Sequence, residues 1–327
     1  MYLVPRIIAE FKRQHPKISI RLSIKNTRQV EEEIIKDEFD LGFVGGHLID
    51  HLLAAGREFS CLARSEKAAN ALLARGCRVI RGDITQAETL KNILHPDDIV
   101  IHLVGIIEEQ GSATFRSLHV QGTRNLVDEA MRAGVRHFFY QSALGSDKTS
   151  WSGYLKTKAE AEEIVMQSGI PFTIFRPSLI IGPWDGFTRK MVDLIRLSPV
   201  IPIPGDGKAR FQPIYIKDWV KCLESVLGAP QDFVSSYDLG GPEHLTYRQI
   251  VEKVAAALGT NKPIISLPMG IMKVSVGFLE GLRLKAPVSG DQLRLLEQDN
   301  IGDLTAVNRY FGFTPMRFDD MLREFVR

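Results

Sequence analysis

The stretch DEFDLGFVGGHLIDHLLAAG, Asp37 to Gly56, decides how the chain folds. From residue 43 to about 55 it reads as a helix that stops at Gly56. In front of that helix, Gly42 and Gly45 keep the last two places of a GxxGxxG spacing, and Phe39 stands in the first. A turn of that kind needs glycine for two reasons. The backbone must adopt φ > 0, and it must approach a pyrophosphate with no Cβ in between. The residues that would form the preceding strand are Ile34, Ile35, Lys36, Asp37 and Glu38. Three charges in a row cannot enter a strand buried on both faces without a large desolvation cost. Either FDLGFV (39–44) is the strand and the loop is shortened, or the first strand is missing.

Upstream, residues 1–41 form a unit of their own. YLVPRIIAEFKRQH carries Leu3, Ile7, Ile8 and Phe11 at helical spacing, and Pro16 follows its end. KISIRLSI alternates apolar and polar residues, as a half-buried strand does. Asn26 with Gln29 reads as the N-cap of a second helix carrying Val30, Ile34 and Ile35.

Downstream, strands and helices alternate. The strands are EFSCLA, CRVIRG, DIVIHLV, VRHFFYQ and PFTIFRP. The helices run to Arg75, around Glu88–Leu94, over about Thr114–Ala133 and over about Ser152–Ser168. Strands apolar on both faces between helices imply an α/β fold, a doubly wound parallel sheet covered on both sides. After Pro177, proline and glycine cluster in SPVIPIPGDG and the regularity fades. The expected division is therefore an N-terminal segment (1–41), a dinucleotide-binding domain (42–180) and a smaller C-terminal substrate lobe (181–327) with strands and helices returning to the core.

Composition narrows the function classes. The chain's 327 residues suffice for one large α/β domain or two smaller ones. Lys+Arg number 41 against 39 Asp+Glu, which gives no basic field for nucleic acid. Cys61, Cys77 and Cys222 form no CxxC pair and read as buried free thiols of a reducing compartment, with no metal site. No secretory signal is evident, and no run reaches the ~18 apolar residues of a membrane span. The expectation is a cytoplasmic protein. The apolar stretch IISLPMGIMKVSVGFLEGL (264–282) is interrupted by Pro268 and Lys273. It reads as a core or partner-facing helix, with shallow membrane contact as the alternative.

Several positions carry chemistry. Arg64 and Ser65 follow the second strand, where an acidic residue would pair with the 2′-hydroxyl of NAD and a basic one accommodates the 2′-phosphate of NADP. Arg64 without an acid beside it favours NADP, with NAD as the alternative. Gly82–Asp83–Ile84 ends the next strand, where an adenine would lie. Tyr154 and Lys158 form a YxxxK pair that projects from one helix face, twelve residues beyond Ser142 at a strand end. A free tyrosine has a pKa of ~10, and acid–base work near neutrality needs it ~3 units lower, about 4 kcal/mol. An ammonium ~4 Å away, at an effective dielectric of ~20, supplies about that much. Ser142 would then polarise a carbonyl while Tyr154 moves the proton. The bland reading is that Tyr154 packs and Lys158 only holds a ribose.

Taken together, GFVGGHLIDHLLAAG, FSCLAR, RGDI, HVQGTRNLVDEAMRAGVRHFFYQSALG, GYLKTKAEAEEIV, FTIFRPSLIIGP and FQPIYIKDW resemble the short-chain dehydrogenase/reductase superfamily, in its extended or atypical branch. The likeness includes NAD-dependent epimerases and dehydratases. YDLGGPEHLTYRQIV, VSGDQLRLLEQDN and FGFTP are similar to the relatives of the ninth alpha-subcomplex accessory subunit of respiratory complex I. The resemblance implies a Rossmann cofactor site. The phosphate turn is Gly42, Phe43, Val44 and Gly45; the adenosine end is Arg64, Ser65, Asp83 and Ile84. Leu103, Val104 and Gly105 would lie along the cofactor, Tyr154 and Lys158 at its ribose, and Pro177, Ser178 and Ile180 near the nicotinamide. It implies two readings. One is an NADP-dependent oxidoreductase acting on a carbonyl or alcohol through Ser142, Tyr154 and Lys158. The other is a non-catalytic NADP-binding module of a respiratory or quinone-related membrane complex, peripheral to the inner membrane. His119 stands where extended members commonly have Asn, a departure from the usual catalytic tetrad. Residues 1–41 resemble the start of a LysR-type regulator's effector domain, and the expectation is that the chain joins two unrelated genes, as a natural fusion, an engineered one or an artefact of assembly.

Overall fold

In the computed structural model, the described residues are 42–268, 270 and 290–326. The chain divides after Asp40, and everything below concerns the unit that starts at Leu41. The N-terminal elements read from residues 1–41, and most of the apolar stretch 264–282, lie outside the described residues.

Helix α1 (Phe43–Ala54) opens the described fold. Phe43 and Val44 are its first turn, so they are not the end of the strand that FDLGFV suggested. The sequence is apolar enough for either, but Gly42 at φ +70° breaks the extended path and starts the helix. Then come β1 (Ser60–Ala63), α2 (Glu66–Ala74), β2 (Arg78–Arg81) and β3 (Ile99–His102). The helix expected around Glu88–Leu94 is only a 3₁₀ turn, Ala87–Leu90, ended by Asn92 at φ 60°. Helix α3 (Gly122–Ala133), β4 (His137–Gln141), α4 (Gly153–Gln167) and β5 (Phe172–Pro177) complete the alternation.

β3, β4 and β5 run parallel and adjacent, and β1 pairs with β2, also parallel. Among the described residues no hydrogen bond joins that pair to β3. The gap falls where a doubly wound sheet places its first strand. β4 reads His-Phe-Phe-Tyr-Gln and buries its first four residues, as a strand covered on both faces must. β2 exposes Arg78 and Arg81 at its two ends.

The C-terminal part begins with β6 (Ile180–Ile181), α5 (Gly186–Leu197), β7 (Ile201–Pro204), β8 (Arg210–Phe211), β9 (Ile214–Tyr215) and α6 (Ile216–Gly228). β10 (Ser235–Leu239) then returns to the main sheet beside β5, giving the parallel order β10-β5-β4-β3. One apolar core runs from Leu48 on α1 through Phe139, Phe175 and Trp219 to Met321 near the C-terminus. Part of the substrate lobe is thus built into the dinucleotide-binding core.

The long helix expected over Thr114–Ala133 is interrupted. One turn of π-helix, Arg116–Gln121, precedes α3. Gly122 explains part of this: a Cβ there would sit 2.5 Å from Ile84 Cδ1, so the helix packs closer to the 84 region than any other residue allows. The wide turn before it directs His119 fully into the interior.

Candidate functional site

The C-terminal ends of β1–β5, with the helices that follow them, place the expected residues. At α1, Gly42 holds φ +70° and no side chain caps the helix, so the first-turn N–H groups of Phe43 and Val44 present a site suited to an anion. Among the described residues nothing comes within 4 Å of where a Cβ on Gly45 would be. The Phe43 ring packs inward beside Gly182, so only its backbone serves the turn.

At the adenosine end, Arg64 is exposed just past β1 and its side chain has no partner among the described residues. The register Ala63↔Arg81 puts a second guanidinium next to it, and Arg81 Nη2 donates to Arg64 O at 3.2 Å. Sequence reasoning missed Arg81; only strand register brings it there. The Ser65 hydroxyl is taken: it caps α2 by accepting from Ala68 N at 3.1 Å. Asp83 accepts from Thr85 N and Thr85 Oγ1 at 2.9 and 2.8 Å, a local turn that leaves its second oxygen for a ligand. Ile84 is buried under α3 with its carbonyl bonded to Asn125, so its side chain serves packing.

At the other end, four residues from three elements converge. Gly105 follows β3, and a Cβ on it would lie 3.0 Å from Lys158 Nζ and 3.4 Å from His119 Nε2. Lys158, on α4, is 4% exposed and donates to Gln141 O at 2.8 Å, with its ammonium 5.0 Å from the Tyr140 ring centre. The Tyr154 ring meets His119 edge-on at 5.7 Å and Phe115 at 5.9 Å. Ser142, one residue beyond Gln141, is buried and shares a 3.1 Å hydrogen bond with Ser146. Leu103 and Val104 line the approach to Gly105, Leu103 half-buried and Val104 exposed. Pro177 and Ile180 lie at the end of β5 and in β6. Ser178 is committed elsewhere: its hydroxyl donates to Asn300 O at 2.9 Å and accepts from Gln212 N.

The electrostatics correct one expectation. Lys158 does not lower the Tyr154 phenol here. Burial pushes Tyr154 up to about 12, and its hydroxyl has no hydrogen-bond partner among the described residues. Burial also pulls Lys158 down to about 7, with Glu162 opposing. The one-face geometry of YxxxK is present, but the ammonium is aimed at the Gln141 carbonyl and not at the phenol. With its upward shift the Tyr154 phenol stays protonated at neutral pH. His119 is pulled down to about 3, first by burial and then by facing Lys158.

The residues fit a dinucleotide. The first-turn N–H groups of α1 could take a phosphate, a Cβ at Gly105 would crowd Lys158 and His119, and Arg64 and Arg81 put two guanidinium groups together past the ends of β1 and β2. All three cysteines are free thiols, but only Cys77 and Cys222 are buried; Cys61 is half-buried and lies beside Cys77 across β1 and β2, a pairing that the sequence separation did not suggest. Among the described residues no group of three His, Cys, Asp or Glu side chains could hold a metal, and no helix is long and apolar enough to cross a membrane.

Comparisons with known proteins give the family and the fold. Residues 41–186 match the NAD(P)H-binding family, and residues 1–61 match the LysR substrate binding domain, so both matches include residues 41–61. Subunit 9 of the mitochondrial NADH dehydrogenase [ubiquinone] 1 alpha subcomplex from Arabidopsis thaliana is 26% identical over 86% of this chain and 71% of its own. A ceramide reductase of Caulobacter vibrioides is 26% identical over 69% of this chain and 71% of its own. Among solved structures, a dTDP-glucose 4,6-dehydratase of Streptomyces venezuelae with NAD bound superposes with a TM-score of 0.65. It has 21% identity and covers 88% of this chain and 94% of its own.

Proposed function

Because the chain carries an NAD(P)-binding domain of the extended short-chain dehydrogenase/reductase type, homologous to complex I subunit 9, we propose that it is an NADP-dependent oxidoreductase that reduces a carbonyl to an alcohol. The observation that carries the reading is the convergence of Gly105, Tyr154 and Lys158 at the ends of β3 and β4 and the start of α4. NADPH, held by the α1 turn and Lys158, would supply the hydride when bound. Tyr154 Oη supplies the proton to the carbonyl oxygen. Burial keeps the phenol protonated at neutral pH but makes it a weaker acid, so the bound cofactor and carbonyl must bring it back toward neutrality for it to give up its proton. Ser142 orients the carbonyl, and Lys158 holds the ribose side of the cofactor from its anchored position. The preference for NADP rests on Arg64 and Arg81.

The name of one relative, a ceramide reductase, agrees with the direction. A second reading is favoured by the coverage of the subunit 9 relative: an NADP-binding accessory module of a membrane complex, without turnover. Tyr154→Phe separates the two. Under the first, NADPH consumption with a panel of ketones and aldehydes is lost while NADPH affinity, read by fluorescence titration, stays within about twofold. If wild type consumes no NADPH but binds it, the accessory reading stands. If it binds no NADPH at millimolar concentration, both fall.

A further inference from the structure

His119 is the one member of the cluster whose hydrogen bonds fix every proton. The Ile106 backbone N–H lies 3.1 Å from His119 Nε2. A backbone amide can only donate, so Nε2 must carry a lone pair. The ring proton is then on Nδ1, which donates to Thr157 Oγ1 at 3.0 Å. Thr157 in turn spends its own proton on the carbonyls of Gly153 at 2.7 Å and Tyr154 at 3.1 Å. The chain has one polarity. It starts at the amide after Gly105 and ends on the first turn of the helix that bears Tyr154 and Lys158.

We infer that His119 is a positioning residue, a neutral clamp with a locked tautomer that fixes the Gly105–Ile106 turn against the Tyr154–Lys158 helix. It rests, for its link to catalysis, on the reductase reading above. The spacing is what the clamp controls. A Cβ on Gly105 would lie 3.0 Å from Lys158 Nζ, so the turn has little room to move toward the helix, and the Ile106 amide on His119 is the polar tie that holds it there. Phe115, stacked on the imidazole at 5.5 Å, and the surrounding π-helical turn keep the ring in plane with both partners. Protonating the ring would turn Nε2 into a second donor facing the Ile106 amide. The clamp therefore works only as the neutral imidazole, and it carries no proton in the reaction.

Two substitutions divide the clamp at its two ends. In His119→Gln the longer side chain brings an amide oxygen to the place of Nε2, so it can still accept from Ile106 but loses Thr157. In His119→Asn the shorter side chain brings an amide NH₂ to the place of Nδ1, so it keeps Thr157 and abandons Ile106. Each variant removes one buried hydrogen bond, so a merely structural role predicts equal effects. The clamp predicts unequal ones. Amide exchange of Ile106, followed by NMR on the full chain without ligand, should stay slow in wild type and His119→Gln and become at least tenfold faster in His119→Asn. NADPH affinity should fall at least tenfold in His119→Asn and no more than about threefold in His119→Gln. Equal exchange rates in the two variants, or a faster Ile106 amide in His119→Gln, would overturn the inference. If Ile106 is protected as expected but wild type binds no NADPH, the clamp stands and the reductase reading falls.

Discussion

Gly105→Ala tests the centre of the site by inserting a single methyl group. The backbone at Gly105 is not in the left-handed region, so alanine costs nothing in φ. What it meets is Lys158 Nζ at 3.0 Å and His119 Nε2 at 3.4 Å. The imidazole is pinned on both sides, so the ammonium must yield by a few tenths of an ångström or more. It then stretches its 2.8 Å bond to Gln141 O, in a place where a side chain 4% exposed finds little water to replace it. A hydrogen bond to a charged group contributes about 1.5–3 kcal/mol, so the loss should be about 2 kcal/mol, or about 30-fold in an equilibrium constant. Urea unfolding should show that destabilisation, and NADPH titration should show a weakened affinity of similar size. The control is Lys158→Met. Without the ammonium, the same methyl group should cost less than about 1 kcal/mol, so the two substitutions should couple by at least 1 kcal/mol. Strict additivity, or a Gly105→Ala protein as stable as wild type, would refute the geometry.

Two further outcomes follow from buried charge. His102 and His119 are held near 3 and His137 near 4, in each case mainly by burial, against an ordinary value of 6.5. Between about 4 and 6.5 the unfolded chain binds protons that the folded chain does not, so stability falls as pH drops through that window. Asp185, raised by burial to about 6, runs the other way and offsets one of the three. Urea midpoints at pH 7, 5.5 and 4.5 should decline in that order, and a flat series refutes the assignment. Glu162, 2% exposed, is held by a two-pronged contact from Arg176 at 2.9 and 2.5 Å. Arg176→Met should cost about 3–5 kcal/mol by leaving a buried carboxylate without its partner, and a loss below 1 kcal/mol in urea would sink that account.

The parts of this molecule that announce themselves in sequence are those decided locally. The start of α4 at Ser152, which caps it, and the end of α3 before Gly134, which is left-handed, were readable because cap chemistry lies within four residues of the boundary; Ser65 was read as a cofactor residue and proved to be the cap of α2. β4 and β5 were visible as short, mostly apolar runs between helices. The π-helical turn at Arg116–Gln121 was not, because one extra residue in a turn leaves almost no mark on apolar periodicity. Spacing placed Tyr154 and Lys158 on one face correctly, but it could not say that the Gln141 carbonyl would claim the ammonium. The same limit applies to Ser178, whose hydroxyl is bound by Asn300, 122 residues away. Arg81 was invisible for a related reason: its neighbour across the strand pair is set by register and not by sequence distance.

The opening stretch leaves the two ends of the cofactor site on different physical footings. α1 keeps its N-terminus and Gly42 its positive φ, while the place of the first glycine, Phe39, lies outside the described residues. Affinity then leans on the ends. The nicotinamide side is buried: Lys158 is anchored and shielded from solvent. The adenosine side is not, since both Arg64 and Arg81 are exposed. Exposed charges are screened once salt shortens the Debye length from about 10 Å at 0.1 M toward 3 Å at 1 M, while buried ones are screened much less. On the proposed NADP reading, preference for NADPH over NADH would come from the exposed end, so it should shrink several-fold between 0.05 and 0.5 M salt, with NADH affinity nearly constant. Arg64→Ala should lower NADPH affinity about tenfold at low salt, leave NADH unchanged, and remove most of the salt dependence of their ratio. Fluorescence titrations of both cofactors at three salt concentrations read all of this. A ratio that ignores salt in wild type, or that is unchanged by Arg64→Ala, would mean that the 2′-phosphate is not held at the ends of β1 and β2.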